Sequence, residues 1–447
     1  MKLAGLIALS LTLLSPAILA KVPQQEADRL GRDLTPMGAQ RAGNADGSIP
    51  EWSGGLKQKA IDPQKGYSNP YAADKPLFTI NAANYTQYKD RLTAGQLDTF
   101  RRYKTYTMKV YPTRRSAAYP QGVYDAVKKN AQRAVLEGTD SLRDAVTGPA
   151  FPIPRTGAEA IWNHKTKYVA PGLEGYYNAA VVTRSGDFEI TRVLRYAKLK
   201  YNQIGIEPAD LKDNIFLYYL TYVLSPPRLA GNIVLVHQTI DQLREPNMAW
   251  SYNPGQRRVR RAPELGYDNP TLATDSLGTH DQIDIYNGAL DRYDWKLQGK
   301  REVYIPYNSY KLEERGLQPR DVIRPAHLNQ DLARYELHRV WVVEATVRQG
   351  TTHLYKRRTF YLDEDSWYIA YVDCYDTRDQ LWRVQEGHLM TAYDLPAVVA
   401  AIESGYDFVN GRYVVAGLDN LEKPTNYRWQ GEDGFFTPAA MRRSGLR

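Results

Sequence analysis

Apolar side chains recur every three or four positions in one part of this chain and every second position in another, and that change of period outlines its architecture. Thr93-Ala94-Gly95-Gln96 is a capping box, in which a threonine hydroxyl and a glutamine amide satisfy free backbone N–H groups at a helix start. Leu97, Phe100 and Tyr103 continue it at a spacing of three, one apolar stripe along a helix. Residues 123–136 and 157–168 also read as helices, the second built around Ala160, Ile161 and His164.

From about residue 177 the period becomes two. Phe188-Glu189-Ile190-Thr191 alternates, and Ser185-Gly186 predicts a hairpin joining it to residues 179–183. Met248, Trp250 and Tyr252 share one face of a strand, which Asn253-Pro254-Gly255-Gln256 turns into residues 257–262. Further strands are predicted over residues 337–347, 354–362, 367–374 and 380–384, and Asn410-Gly411 is a strong hairpin signal. Residues 233–236 and 367–372 are apolar on both faces, so these strands should be covered on both sides. The implied fold class is α+β, a large curved antiparallel sheet with helices packed on one face.

Residues 21–75 are rich in Gly, Pro, Asn and Asp and read as an extended arm laid over a single domain spanning residues 76–447. Within the arm, Asn44-Ala45-Asp46-Gly47-Ser48 is like the start of a calcium loop. Gly55, however, stands where the bidentate glutamate belongs, which favours a plain turn.

Residues 1–20 read as a secretory signal peptide: Lys2, an apolar run from Leu3 to Leu14, then small residues up to Ala20. The mature chain would begin at Lys21, in the periplasm, and no cysteine at the junction offers a lipid anchor. No later apolar run approaches the length of a membrane-spanning helix. The one cysteine, Cys374, excludes an internal disulfide and lies in an apolar context that suggests packing rather than reactivity.

Formal charge is +8, concentrated between Arg101 and Arg133 and in Arg257-Arg258-Val259-Arg260-Arg261. Export removes nucleic acid as a partner, leaving anionic lipid headgroups, an acidic protein surface or plain solvation. Catalytic and metal signatures are missing: there is no G-x-S-x-G, no H-E-x-x-H and no phosphate-cradling glycine loop. The histidines at 164, 237, 280, 327, 338, 353 and 388 form no metal-spaced pair, and His237 and His338 read as structural. Asp281 with Asp284, and Asp291 with Asp294, are carboxylate pairs with the spacing for acid–base work, although capping or pairing with arginine is the plainer role. Tyrosine outnumbers phenylalanine 34 to 9. Such rings suit the wall of a groove where an apolar ligand meets water, and equally an exposed sheet face.

Residues 34–52 (Leu34-Thr35-Pro36-Met37-Gly38 through Ile49-Pro50-Glu51-Trp52), Val110-Tyr111-Pro112-Thr113-Arg114-Arg115, residues 250–263 and residues 287–300 together resemble the domain-of-unknown-function 1329 family. The resemblance runs over nearly the whole mature chain. It implies an exported protein of Gram-negative bacteria, likened to the LolA and LolB lipoprotein carriers, whose half-open barrel shelters acyl chains under a helical lid. It also implies a transport setting, with RND-type exporters and an outer-membrane protein as partners. The family offers no catalytic residue, metal or cofactor to carry over. The expected function is therefore a periplasmic carrier for a lipid or other hydrophobic ligand, or alternatively a non-catalytic docking subunit of an export assembly. Trp250, Tyr252, Trp341, Val343, Trp367 and Ile369 are the expected groove lining, and Arg257, Arg258, Arg260 and Arg261 the expected headgroup or partner contacts.

Overall fold

The structure is a computed structural model and describes residues 22–62, 64–262, 267–271 and 274–445. The signal-peptide reading lies outside the described residues. The chain builds one sixteen-stranded, mostly antiparallel sheet that does not close on itself. From one end it runs Phe78–Asn81, Thr107–Val110, Tyr335–Val347, Arg357–Asp363, Ile369–Tyr375, Leu381–Ala392, Ala397–Asp407 and Tyr413–Ala416. It continues through Ala179–Val182, Phe188–Lys198, Ile215–Ser225, Ile233–Thr239 and Met248–Asn253 to a free edge at Arg258–Arg261. Tyr293–Pro306 pairs alongside Tyr335–Val347, and Gly172–Tyr176 alongside the second half of Phe188–Lys198.

The hairpins read from Ser185-Gly186 and from Asn253 to Gln256 form as expected, with Ala180 opposite Ile190 and Trp250 opposite Arg261. Asn410-Gly411 joins Ala397–Asp407 to Tyr413–Ala416, and Gly411 takes a φ of 71° that suits glycine. Two strands go beyond the sequence reading. Tyr293–Pro306 alternates, with Tyr293, Trp295 and Leu297 on one side and the exposed Asp294 and Lys296 on the other. The strand predicted over 380–384 runs on to Ala392, because Gln385, Glu386 and His388 are buried polar residues that break the apolar pattern without breaking the ladder.

Ala94–Arg102 is capped as read: Thr93 Oγ1 accepts from the Gln96 N–H and Gln96 Oε1 from the Thr93 N–H, both at 3.0 Å. The helix expected over 123–136 is Gln121–Arg133, and β-branched Val135 opens a short strand to Glu137 instead. The helix expected over 157–168 ends at Lys165. Every residue of Gly157–Lys165 is buried against Tyr293–Pro306 and Tyr335–Val347. Gly157 permits that approach, since a Cβ there would meet the backbone of Trp295 and Lys296 at 2.9 Å. Trp162, Tyr286, Leu290, Val343 and Phe360 pack the core between this helix and the sheet. Each contributes roughly 1.5–3 kcal/mol through burial.

The arm is irregular apart from the short helix Gln24–Ala27, and it is bound to the body throughout. Trp367 Nε1 donates to the Met37 carbonyl at 2.8 Å and Trp52 Nε1 to the Ala117 carbonyl at 3.1 Å. Arg115 donates to the carbonyls of Gln40, Arg41 and Pro50. The Asn44–Ser48 segment is a turn closed by its own side chains, with Asp46 Oδ1 accepting from the Ser48 N–H at 3.0 Å and Asp46 Oδ2 paired to Arg91 at 2.6 Å.

Candidate functional groove

Strand register fixes which side chains share the sheet's inner face, the face under helix Gly157–Lys165. One line across it runs Val343, Phe360, Val372, Gln385, Gly405, Val414 and Val181. The cover lies over the first part of this line and then stops. At Gly387 an added Cβ would meet Ile285 Cγ1 of the covering segment at 3.6 Å. At Gly405 it would meet only neighbouring-strand atoms, at 3.7 and 4.0 Å, and otherwise open space. Beyond that boundary the inner face carries Val181, Val414, Val223, Val234 and Val236, all half-buried. None of these valines packs into the hydrophobic clusters of the described residues.

Two further lines share this face: Arg195, Thr221, Val234, Ser251 and Arg260, and Ala197, Tyr219, Val236 and Ala249, of which Ala197 and Ala249 are buried and Tyr219 and Val236 half-buried. Apolar surface left half-wet beside a full core makes this face the candidate groove.

A charged cluster closes the inner end. Lys167 Nζ donates to Asp284 Oδ2, and the Tyr368 hydroxyl donates to Asp284 Oδ1 at 2.7 Å and reaches Glu403 Oε1 at 3.5 Å. The Asp284 side chain is 42% exposed although it is paired with Lys167. Its neighbour His164 is wholly buried. The Ile369 N–H donates to Nδ1 at 3.0 Å, so the proton sits on Nε2 and is donated to the Asp284 carbonyl at 2.8 Å. Burial, reinforced by the Lys167 charge, pushes His164 down to about 3 and keeps it neutral.

Glu403 is pushed up to about 7 by burial and then by the negative charge of Asp284. Burial acts to raise Asp284 as well, but the Lys167 charge and the hydrogen bonds from Lys167 and Tyr368 hold it below the usual carboxylate range. Arg195 stacks its guanidinium 4.3 Å from the centre of the Tyr177 ring, and Tyr177 is hydrogen-bonded to Glu403. The cluster can hold and exchange protons. Among the described residues neither carboxyl is hydrogen-bonded to a serine, threonine or cysteine.

The structure redistributes the residues expected to line a groove. Val343, Trp367 and Ile369 are fully buried and are core, not groove wall. Trp341 is half-buried, stacked on Trp367 at 6.1 Å and covered by the Lys300 ammonium at 4.7 Å. Trp250 and Tyr252 lie on the opposite face of their strand from Ala249 and Ser251. There they are covered by the C-terminal segment, with the Tyr252 hydroxyl donating to the Gly445 carbonyl at 2.8 Å. Apolarity on both faces correctly signals two covered sides in strand Ile369–Tyr375, whereas in Ile233–Thr239 the side of Ile233 and Leu235 is covered and the other is covered at Gln238 but half-buried at Val234 and Val236. Val234 and Val236 on that second side belong to the candidate groove. Gly405, Val414 and Glu403 gave no sequence signal of their own.

Among the arginines, Arg257 sits in the turn at φ 51° and Arg261 lies over the Trp250 ring at 5.4 Å. Arg258 and Arg260 are exposed on the groove side. Asp281 is buried between Arg358 at 2.8 Å and His353 at 3.0 Å, a structural role, while its partner in the sequence pair, Asp284, belongs to the groove cluster. Asp291 accepts from Tyr267 and Asp294 from Arg348 at the surface. Burial pushes the Cys374 thiol up to about 12, out of reactive range.

His338, Asp363 and Asp365 come close enough to share a metal ion. Their positions are already satisfied: His338 bridges Asp363 at 3.1 Å and Glu336 at 3.3 Å, and Asp365 is gripped by Arg115. Against the effect of burial, those carboxylates hold the His338 proton up to about 9. A proton and a guanidinium thus supply the positive charge a metal would bring.

No helix among the described residues is long and apolar enough to cross a membrane. The chain is 46% identical to an uncharacterized protein of Pseudomonas aeruginosa over 98% of this chain and 97% of that one. Similar solved structures include an outer membrane lipoprotein-sorting protein domain from Vibrio parahaemolyticus, 12% identical, covering 64% of this chain and 98% of that chain at a TM-score of 0.44. A DUF1329 family protein from Desulfovibrio piger is 18% identical, with 61% and 92% coverage and a TM-score of 0.41. A LolA superfamily protein from Nitrosomonas europaea is 10% identical, with 64% and 98% coverage and a TM-score of 0.36. The family model "Protein of unknown function (DUF1329)" matches residues 79–442, and the chain belongs to that family.

Proposed function

We propose that this protein is a periplasmic carrier that binds a lipid or other hydrophobic molecule in the groove beyond Gly405 and serves transport across the cell envelope. The observation that carries the reading is the set of half-buried valines on the inner face, Val181, Val223, Val234, Val236 and Val414, which belong to no hydrophobic cluster among the described residues. Buried CH₂ groups contribute about 0.8 kcal/mol each, so a long acyl chain laid over these valines supplies ample affinity without chemistry. Delivery then requires a partner that empties the groove, and an inner-membrane exporter or an outer-membrane protein fits that role.

Native mass spectrometry of protein taken gently from the periplasm, with organic extraction of whatever it carries, tests the reading. A bound apolar molecule released only on denaturation supports it. Protein of bare mass from the same preparation, together with no uptake of added lipid, contradicts it.

A further inference from the structure

The line Arg195, Thr221, Val234, Ser251 and Arg260 crosses the floor of the proposed groove and ends at the free edge of the sheet. Four strand spacings separate its two arginines, about 19 Å at the usual 4.8 Å between strands. Arg258 pairs with Asn253 and Arg260 with Ser251, so both project from the groove side of the terminal strand. Both are exposed, and among the described residues neither has a carboxylate partner. The two ends of the floor therefore differ. At the inner end Arg195 is stacked on Tyr177 and Lys167 is paired with Asp284, and the carboxyls of Asp284 and Glu403 would repel an incoming anion. At the edge two guanidiniums stand unpaired beside half-buried valines.

We propose that the ligand is an amphiphile with an anionic head, a carboxylate or a phosphate, held by Arg258 and Arg260 at the sheet edge while its apolar tail lies over Val234 and Val236. This assignment rests on reading the groove as the ligand site. Guanidinium forks match carboxylate and phosphate oxygens with two parallel hydrogen bonds, which a neutral ester cannot accept with equal strength. Charged side chains also protect free sheet edges from pairing with other strands, and that role would place no demand on a ligand's head.

The test titrates a fluorophore-labelled long-chain fatty acid and its methyl ester into the wild type and the Arg258→Ser, Arg260→Ser double variant, at low and moderate salt. Both substitutions replace exposed side chains, and an unchanged melting temperature is the control for folding. The wild type is expected to bind the acid about tenfold more tightly than the ester, a difference of about 1.4 kcal/mol. Salt should narrow that preference, and the double variant should abolish it without weakening the ester. An Arg260→Lys variant, keeping the charge, should retain part of it. Equal binding of acid and ester by the wild type overturns the head assignment and leaves the groove intact, as does a double variant that keeps the preference. Loss of sedimentation with phosphatidylglycerol vesicles while acid binding is unchanged would assign the arginines to a membrane surface, and also overturns it. Failure of both probes to bind removes the groove reading and this proposal with it.

Discussion

Arg115 grips Asp365 with a two-pronged ion pair, Nη2 to Oδ1 at 2.7 Å and Nε to Oδ2 at 2.9 Å, with both side chains no more than 3% exposed. The same guanidinium donates to the Gln40, Arg41 and Pro50 carbonyls, so one residue ties the arm to the sheet's hairpin at Asp363–Trp367. Removing one partner of a buried pair strands the other charge, which costs about 3–5 kcal/mol. Arg115→Ala should lower the unfolding free energy by about that amount and open residues 22–62 to protease while the sheet remains protected. Cleavage of arm and sheet at equal rates would show that the arm is not held separately by this contact.

His338 makes stability depend on alkaline pH. An unfolded imidazole titrates near 6.5, whereas Asp363 and Glu336, working against burial, hold His338 up to about 9. Between those values the native state keeps a proton that the unfolded state has lost, so stability falls as pH rises through that window. His338→Gln should be less stable at neutral pH, because Asp363 and Glu336 lose their cation, and should show a flatter decline from pH 7 to 9.5. Parallel melting curves for the two proteins across that range would place the sensitivity elsewhere.

The strands of the sheet's second half were legible because alternation and turn chemistry agree there: Met248, Trp250 and Tyr252 do share a face, and the Asn253 to Gln256 turn does set the register. The groove was less legible. A sequence shows that Trp367 and Ile369 are buried but not whether protein or ligand buries them, and the two possibilities share one apolar pattern. Only the point where the cover ends, between Gly387 and Gly405, separates core from groove. That boundary is set by the loop around Ile285 and Asp284, whose left-handed residues leave no periodic signature. The polar end of the groove comes from segments far apart in the chain, His164 to Lys167, Asp284, Tyr368 and Glu403, brought together only by the fold.

Glu403 gives the groove its own pH dependence, opposite in origin to that of His338. Burial and the Asp284 charge raise it to about 7, well above an unfolded glutamate near 4.3. Across that interval the native state holds a proton that the unfolded chain has released, so this group lowers stability progressively as pH climbs from about 4.3 to 7. Glu403→Gln removes the ionisation. Its melting temperature relative to wild type should therefore rise between pH 5 and pH 8, and a constant difference over that range would mean Glu403 ionises as freely as in water.

Gly405 offers the most direct test of the central claim, because a Cβ added there meets only Val384 O at 3.7 Å and Gln385 Cγ at 4.0 Å, ordinary van der Waals contacts, and points a larger side chain into the proposed groove. Its backbone is ordinary strand, so no special conformation is lost. Gly405→Trp should fold with a melting temperature close to wild type if the face is an open groove, and should bind an environment-sensitive acyl probe at least about tenfold more weakly, equivalent to about 1.4 kcal/mol. Probe titration of the two proteins side by side is the decisive measurement. Lost binding with an intact fold is the predicted result, and undiminished binding by the tryptophan variant would contradict a ligand site on this face of the sheet.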